Sequence, residues 1–404
     1  MNISNELNKN RKEFFISIIL VLLPIFFISG SLVINVSVVL IDLYFLYILF
    51  VNNDFKFLNN RYFYSLILFW IYLLINLFFS IDFKESLPRS FGFLRFVIFA
   101  FAINYFFFKK PNTVKTSILN IWTAIFLFIT FDLIVEFIFG YNMFGFKSPY
   151  EGRLGSVLGE ELKIGHFYFS LVLIASLNLQ KIFKIKFNND YIFYGIIVLF
   201  LFVSLIIGER SNFIKTFFVI FFFIFIFDKK NLFKKIISIF LIIFSFSILI
   251  NFNDNYKSRF WGKGLSLLFE KPIESIFNSK YGSHYKVAIQ VFNNNKFFGV
   301  GLKNYRLEVT KKKYYGDPSI HPHQTHFEII SELGLVGYIL FISTFFFILF
   351  NSIKSYCLEK DNLKLCGILF VIASLIPFIP SGSFFTTFGA ALFWFNLSFL
   401  LPKK

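Results

Sequence analysis

Long apolar stretches constrain this chain more than any other feature of its sequence. A helix that crosses a bilayer needs roughly 20 consecutive apolar residues, and about twelve such stretches occur along the 404 residues. They lie at approximately 13–30, 31–51, 62–80, 91–108, 117–140, 165–179, 191–208, 213–227, 236–251, 333–351, 364–379 and 384–401. We therefore predict an all-α fold, a polytopic transmembrane helical bundle with about twelve spanning helices.

The composition excludes the other broad classes of protein. The chain is 57% hydrophobic and only 16% charged, too few charges to cover a soluble surface. Its 68 phenylalanines exceed what one or two packed cores can bury. Intrinsic disorder is excluded because disordered chains have low hydrophobicity. Two cysteines nine residues apart, Cys357 and Cys366, provide neither a disulfide framework nor a zinc-ligand spacing.

The net charge of +17 is interpreted first as a topology signal and not as a signal for nucleic-acid binding. If the N-terminus is cytoplasmic, the short inner loops and termini carry twenty Lys and Arg residues and the short outer loops carry six. This bias places both termini in the cytoplasm. The first apolar stretch runs on past Val21 and Pro24 without a cleavage pattern, so we expect a signal anchor.

A long outer segment divides the chain into three regions. We predict N-terminal transmembrane helices in residues 1–251, a partly helical periplasmic loop in residues 252–332, and C-terminal transmembrane helices in residues 333–404. Loops longer than about 12–15 residues are usually functional or disordered, and this one contains helix-like apolar patterning. A shorter polar outer loop covers residues 141–163. We therefore expect the chemistry on the outer face.

The densest group of candidate residues is His321, His323 and His326, three of the five histidines in the chain. Thr325 and Glu328 match a capping box, which predicts a helix starting near His326, with Gly334 as its end or a kink. His323 then precedes a helix N-terminus, which favours an anion such as a phosphate. A surface loop of clustered imidazoles and a zinc site formed by the three histidines are the alternatives.

A second candidate is Arg210, in the short turn between two apolar helices at residues 208–212. We expect Ser211 or Asn212 to cap the helix that follows. An arginine this close to hydrocarbon suggests a functional site, and its guanidinium suits a phosphate. An interfacial arginine that reaches toward water is the alternative.

Several other charged residues are weaker candidates. Asp132 and Glu136 share one helix face and favour a structural pair over a functional one. Arg306 follows a glycine-rich turn, Gly299-Val-Gly301, which allows close approach of a ligand but is unspecific. The remaining weak candidates are Arg95, Arg153, Glu160 and Glu161.

These motifs resemble the bacterial O-antigen ligase/polymerase family. Its ligase signature is His, then Asn, Ser or Gln, nine residues, Gly, two residues, and Gly, Thr or Tyr; His323, Gln324, Gly334 and Gly337 satisfy it. The run AIQVFNNNKFFGVGLKNY (288–305) is similar to the family's amphipathic helix followed by Gly-x-Gly. GERSNFIK (208–215) is similar to its short outer loop with an arginine. The resemblance implies a fold like that of the GT-C-like membrane glycosyltransferases.

The resemblance implies an inverting, metal-independent glycosyltransferase without a cofactor. Its donor is a glycan on undecaprenyl diphosphate, its acceptor is a lipid A-core or growing-chain hydroxyl, and the site faces the periplasm from the inner membrane. The family's histidine corresponds to His323 and its short-loop arginine to Arg210. The family's second arginine has no equivalent, and His284, Arg259 or Arg306 are the candidates to replace it. Binding roles are expected for Arg306, His284, Arg259, Arg153, Gln324 and His326.

Three other functions remain open at this stage. A repeat-unit polymerase shares the donor and reaction type with a ligase. A transporter of glycan or a small anion predicts inverted repeats and helices broken near the midplane, and the sequence has no convincing internal symmetry. A structural or sensory membrane protein makes the histidine cluster incidental. Expected partners are the lipid bilayer and either chain-length regulators or flippases, without nucleic acid.

Overall fold

The architecture comes from a computed structural model that describes residues 3–159, 161, 163–187, 190–227, 253–258, 260, 279–311, 314–317 and 319–403, with isolated positions between 233 and 251. The described residues form helices joined by turns and contain no β-strand. The main helices are α1 (Ile3–Ile28), α2 (Ser31–Val51), α3 (Arg61–Asn76), α4 (Phe83–Lys109), α5 (Asn112–Phe139), α6 (Ile164–Phe187), α7 (Asp190–Ile206), α8 (Arg210–Phe227), α9 (Lys280–Asn294), α10 (Tyr305–Lys311), α11 (Thr325–Glu359), α12 (Asn362–Ser374) and α13 (Thr387–Leu397). Short helical turns lie at Phe55–Leu58, Leu77–Phe79, Ser156–Leu158 and Asp254–Tyr256.

The helices confirm the prediction of a polytopic helical membrane protein. Seven of them are long and apolar enough to cross a membrane, and four shorter apolar helices accompany them. These helices correspond to eleven of the predicted apolar stretches. The remaining stretch, 236–251, lies largely outside the described residues. The division of the chain at residues 251 and 332 stays a prediction.

Several predicted helix boundaries differ from those in the structure, and two of these differences are at starts of spanning helices that were predicted eight residues too late. Helix α4 begins at Phe83 and not near residue 91, because Asp82 caps it: its Oδ1 accepts a hydrogen bond of 3.2 Å from Glu85 N. Helix α11 begins at Thr325 and continues to Glu359, and Gly334 interrupts it with a φ of 67°. Helix α11 therefore includes both the outer histidine region and a full membrane span.

The short helix α13 lies at the centre of the bundle. It packs against α2, α4, α6 and α12, and its residues from Ala390 to Leu397 are all buried. Trp394 meets Phe93 edge to face at 5.3 Å, and Phe395 meets Trp122 at 5.2 Å. Such contacts contribute beyond the area that they bury. The phenylalanine content thus fills the space between helices as well as the outer faces of helices such as α2.

The connections that carry the predicted site residues meet at one end of the bundle. Leu154 N donates to Ile207 O at 3.1 Å, which joins the α5–α6 loop to the end of α7. Ile81 N donates to Val300 O at 3.0 Å, and Ser381 N donates to His323 O at 2.8 Å. Loops distant in sequence therefore form one layer over this end, which we call the outer end.

Asp132 and Glu136 organise the α5–α6 loop within this layer. Asp132 accepts from Met143 N at 2.8 Å and from the Ser156 hydroxyl at 2.5 Å. Glu136 accepts from Gly155 N at 3.0 Å and from Ser156 N at 2.7 Å. Both carboxylates are buried, and a buried carboxylate without hydrogen-bond partners is costly. The N–H and O–H groups of the loop supply those partners. Their role is structural, but each carboxylate binds the loop and not the other, so they do not form the predicted pair.

Candidate active site

The glycines of the histidine motif form a tightly packed backbone junction. Gly334 breaks α11, and the backbone of the Gly299-Val-Gly301 turn replaces the helical hydrogen bonds lost there. Val300 N donates to Ser331 O at 3.2 Å and Gly301 N donates to Glu332 O at 2.8 Å. In return, Leu335 N donates to Lys296 O at 2.8 Å. The glycine-rich turn therefore supports the helix break, and its close approach is to protein backbone.

Gly337 completes this junction by allowing an aromatic ring to approach α11. A side chain at Gly337 would place its Cβ 2.6 Å from Tyr72 Cε1. The Tyr72 hydroxyl donates to Leu333 O at 2.6 Å, another carbonyl freed by the break. Gly334 itself has a positive φ and lies against Phe297 O, so both its conformation and its space require glycine. The two glycines of the signature are explained by packing.

Helix α11 is capped by Gln324 and not by the predicted capping box. Gln324 Oε1 accepts from Phe327 N at 3.1 Å, and its amide group contacts Ile376 O at 3.4 Å. Thr325 instead places its hydroxyl 3.2 Å from Ser381 Oγ. Glu328 accepts from Ser383 Oγ and, at 2.7 Å, from Phe384 N. The capping-box prediction was wrong because the α12–α13 connection supplies the partners of both residues.

His323 stands in a strained conformation just before this helix. Its φ is 57°, a region that a non-glycine residue adopts only when its surroundings enforce it. Two contacts hold His323 in place. Ser381 N donates a hydrogen bond to the His323 carbonyl, and Ser319 Oγ lies 3.0 Å from His323 Nε2. Such strain concentrates at functional sites.

Two further imidazoles surround His323. The ring centroids of His321 and His323 are 3.9 Å apart, and those of His284 and His323 are 5.1 Å apart. His284 is only 3% exposed and its Nδ1 lies 2.6 Å from Asp317 O. Burial, together with smaller electrostatic contributions from His321, His284 and Lys280, lowers the pKa of His323 to about 4. Burial also lowers the pKa of His321. His323 is therefore neutral at physiological pH.

His326 points away from this cluster. Its Nδ1 lies 3.2 Å from the Tyr338 hydroxyl and its Nε2 lies 2.7 Å from Leu375 O, so both ring nitrogens have internal partners. His321, His323 and His326 thus do not converge as the zinc alternative requires. No group of three potential metal ligands occurs in the part of the chain that the structure describes. A binding role for His326 or Gln324 stays a prediction.

Arg210 is the first residue of α8, directly after a sharp turn at Gly208. Gly208 has a φ of 77° and packs on Gly152 O, and a Cβ there would lie 3.2 Å from Arg153 Cα. The outer loop therefore brings the backbone of Arg153 to the turn that carries Arg210. The predicted cap by Ser211 or Asn212 was wrong, since α8 has already begun at Arg210. Asn212 Nδ2 instead donates to Glu209 and lies 3.0 Å from His166 Nδ1.

Arg306 lies beside the glycine junction, where it forms an ion pair with Glu85. Lys303 Nζ lies 3.1 Å from the same carboxylate. The structure therefore brings His284, and not Arg306, into contact with His323. Arg259 and Glu160 lie outside the described residues. The expected binding roles of Arg306, Arg259 and Arg153 stay predictions.

A cavity of about 450 Å³ opens beside the histidine cluster. Its basic residues come from four elements that are distant in the sequence, and its other residues are hydroxyl-bearing or apolar. The basic residues are Arg89, Lys163, His166, Lys215 and His321; the hydroxyl-bearing ones are Ser31, Thr325, Ser374, Ser381, Ser383, Thr386 and Thr387. Among the lining residues that the structure describes, none is Asp or Glu. The cavity is therefore suited to an anion that also carries hydroxyl and apolar groups.

Four of the cavity residues were not predicted from the sequence to be functional: Arg89, Lys163, His166 and Lys215. His166 and Lys215 lie inside stretches that were assigned to the membrane as apolar segments, at 165–179 and 213–227. An ionisable residue within such a stretch is itself a signal of function and would have identified both. Lys163 and Arg89 were counted only as outer-loop charges, and their position in the cavity depends on tertiary packing.

The fold and the cavity define a multi-pass helical membrane protein with a cavity lined by basic residues at the outer end. In a comparison with protein families, residues 195–342 match the family described as O-Antigen ligase. This range contains Arg210, the glycine junction and the histidine cluster. The predicted resemblance to the O-antigen ligase/polymerase family is confirmed, and the match supports a function of that type. Among curated proteins, none matches the chain.

Proposed function

We propose that this protein is an O-antigen ligase-type glycosyltransferase of the bacterial inner membrane. The donor is a glycan on undecaprenyl diphosphate, and the acceptor is a hydroxyl of lipid A-core or of a growing chain. The outer end faces the periplasm and both termini lie in the cytoplasm. The reaction inverts the configuration at the transferred sugar and needs no metal.

One observation supports this proposal above the others: a neutral histidine in the region that matches the O-antigen ligase family lies next to a cation-lined cavity. His321 joins the two, because it lines the cavity and its ring lies 3.9 Å from that of His323. A diphosphate carries negative charge that the basic residues neutralise. The apolar residues of the cavity, such as Phe169 and Phe393, suit the polyprenyl chain.

The chemistry follows from these groups. His323 accepts the proton of the acceptor hydroxyl as that oxygen bonds to the anomeric carbon of the donor. The bond between the anomeric carbon and the diphosphate oxygen breaks, and its electron pair leaves with the lipid diphosphate. Arg210 and the cavity cations stabilise this leaving group electrostatically. Attack opposite the leaving group accounts for inversion.

The test is complementation in a strain that lacks the gene, with surface polysaccharide separated on gels. Wild type is expected to restore O-chain, whereas His323→Ala and Arg210→Ala are expected to lower transfer by about 100-fold or more. Arg61→Ala is the matched control, because Arg61 is exposed at the opposite end of the bundle and should restore fully. Immunoblots of membranes establish that each variant is present at wild-type amounts.

The gel pattern also separates a ligase from a polymerase. Loss of all O-chain from lipid A-core, with lipid-linked polymer accumulating, indicates a ligase. A single repeat unit on the core indicates a polymerase. Full complementation by both His323→Ala and Arg210→Ala would remove the proposed active site.

A further inference from the structure

We propose that Lys215, together with His166, binds the diphosphate of the lipid-linked donor in the outer-end cavity. This inference rests on the proposed function, which supplies the diphosphate. It assigns to Lys215 the role of a second cation beside Arg210. The sequence had left that role to His284, Arg259 or Arg306.

Lys215 is a buried cation without a direct counter-ion among the residues that the structure describes. The residue is 3% exposed and lines the cavity on α8. Glu209 is the carboxylate that interacts with it electrostatically, yet none of the described residues forms a salt bridge with Lys215. Glu209 is already engaged by Gly165 N at 3.3 Å and by the Asn212 amide. An unpaired buried ammonium is costly, so its position indicates a ligand that supplies negative charge.

The hydrogen bonds around His166 make this imidazole a second donor. The Glu209 carboxylate can only accept hydrogen bonds, so the Asn212 side chain must direct its amide nitrogen, and not its amide oxygen, toward Glu209. The same nitrogen lies 3.0 Å from His166 Nδ1, which must therefore be the accepting nitrogen of the ring. The proton of the neutral imidazole is then on Nε2. His166 also lines the cavity and can donate this proton to a phosphate oxygen.

Three other cations that the structure describes fit this role less well. Arg306 is paired with Glu85 and its side chain is 40% exposed. Arg89 lines the same cavity, but its guanidinium donates to Phe385 O in the α12–α13 connection. Lys163 forms a 2.7 Å ion pair with Glu161. Lys215 therefore offers the least compensated charge among the cavity lysines and arginines.

The experiment measures binding of undecaprenyl diphosphate to the purified full-length protein in nanodiscs. Lys215→Met removes the charge with little change in volume and is expected to weaken binding about 10- to 100-fold, the loss typical of a hydrogen bond to a charged group. Lys215→Arg keeps the charge and is expected to bind more tightly than Lys215→Met, because the attraction to the diphosphate is retained. Lys147→Met, in the exposed outer loop, is the matched control and should bind like wild type.

The outcomes separate this inference from the proposed function. Wild-type binding by Lys215→Met overturns the inference, and the function survives if His323→Ala still abolishes glycan transfer. Selective loss of binding in Lys215→Met supports the site. This holds even if deletion of the gene leaves surface glycan unchanged, a result that would overturn the proposed function. If Lys215→Met does not fold, Lys215→Gln decides: wild-type binding overturns the inference and a 10-fold or greater loss supports it.

Discussion

The glycine junction and the histidine cluster lie close together in the sequence but differ in their packing and in their backbone strain. At the junction, backbone groups freed by the break at Gly334 form hydrogen bonds with the Gly299-Val-Gly301 turn. The close packing of the two backbones leaves no space for a side chain at the glycine positions. At the cluster, three imidazoles crowd together and His323 has a strained backbone. One short motif thus contains a supporting part and a strained part, which we propose to be the reactive part, and its members need not share a role.

The largest effect that tests this difference is expected at Gly334. Gly334→Ala requires an alanine at a φ of 67° and a Cβ 2.5 Å from Gly299 N. Backbone strain of this kind costs on the order of 1–3 kcal/mol before any clash is counted. We expect reduced amounts of folded protein in membranes and a lower thermal unfolding temperature in detergent.

Gly195→Ala is the matched control for that substitution. Gly195 lies within α7, has no positive φ and has open space around its Cβ position. Alanine there should stabilise the helix by up to about 1 kcal/mol or leave it unchanged. If Gly334→Ala folds as well as Gly195→Ala, the junction is not the rigid support described here.

The second effect concerns the pH dependence of the reactive part. Because the pKa of His323 is lowered to about 4, its neutral form persists well below the usual range of histidine. Transfer should therefore be constant from about pH 8 to pH 5 and fall as the pH approaches 4, when the ring is protonated. Initial rates in proteoliposomes measure this profile. A midpoint near the ordinary histidine pKa of about 6.5 would mean that His323 is not shielded as the cluster implies.

The smallest effect is expected at Arg306, next to the glycine junction. Its ion pair with Glu85 is partly exposed on both sides, and exposed pairs contribute little. Arg306→Gln should change KM for the lipid-linked donor by no more than about twofold, with kcat unaffected. A tenfold rise in KM would instead assign Arg306 to the substrate, as the sequence had suggested.

The sequence predicted those features that depend on local pattern. The apolar stretches correspond to helices, and Gly334 was expected to end or kink α11, which it does. The capping box failed because Glu328 finds its partners at Ser383 and Phe384, far along the chain. Arg89 and Lys163 were missed for the same reason: they reach one cavity only when α4 and α6 both pack against α13.

The connection between α12 and α13 has a mechanical consequence. Ser381 both lines the cavity and holds the carbonyl of His323, and Ser383 both lines the cavity and binds Glu328 at the start of α11. A ligand that pushes this wall outward must therefore also displace the histidine. Occupancy of the cavity and the orientation of the His323 imidazole are therefore linked through the α12–α13 connection, without a domain movement.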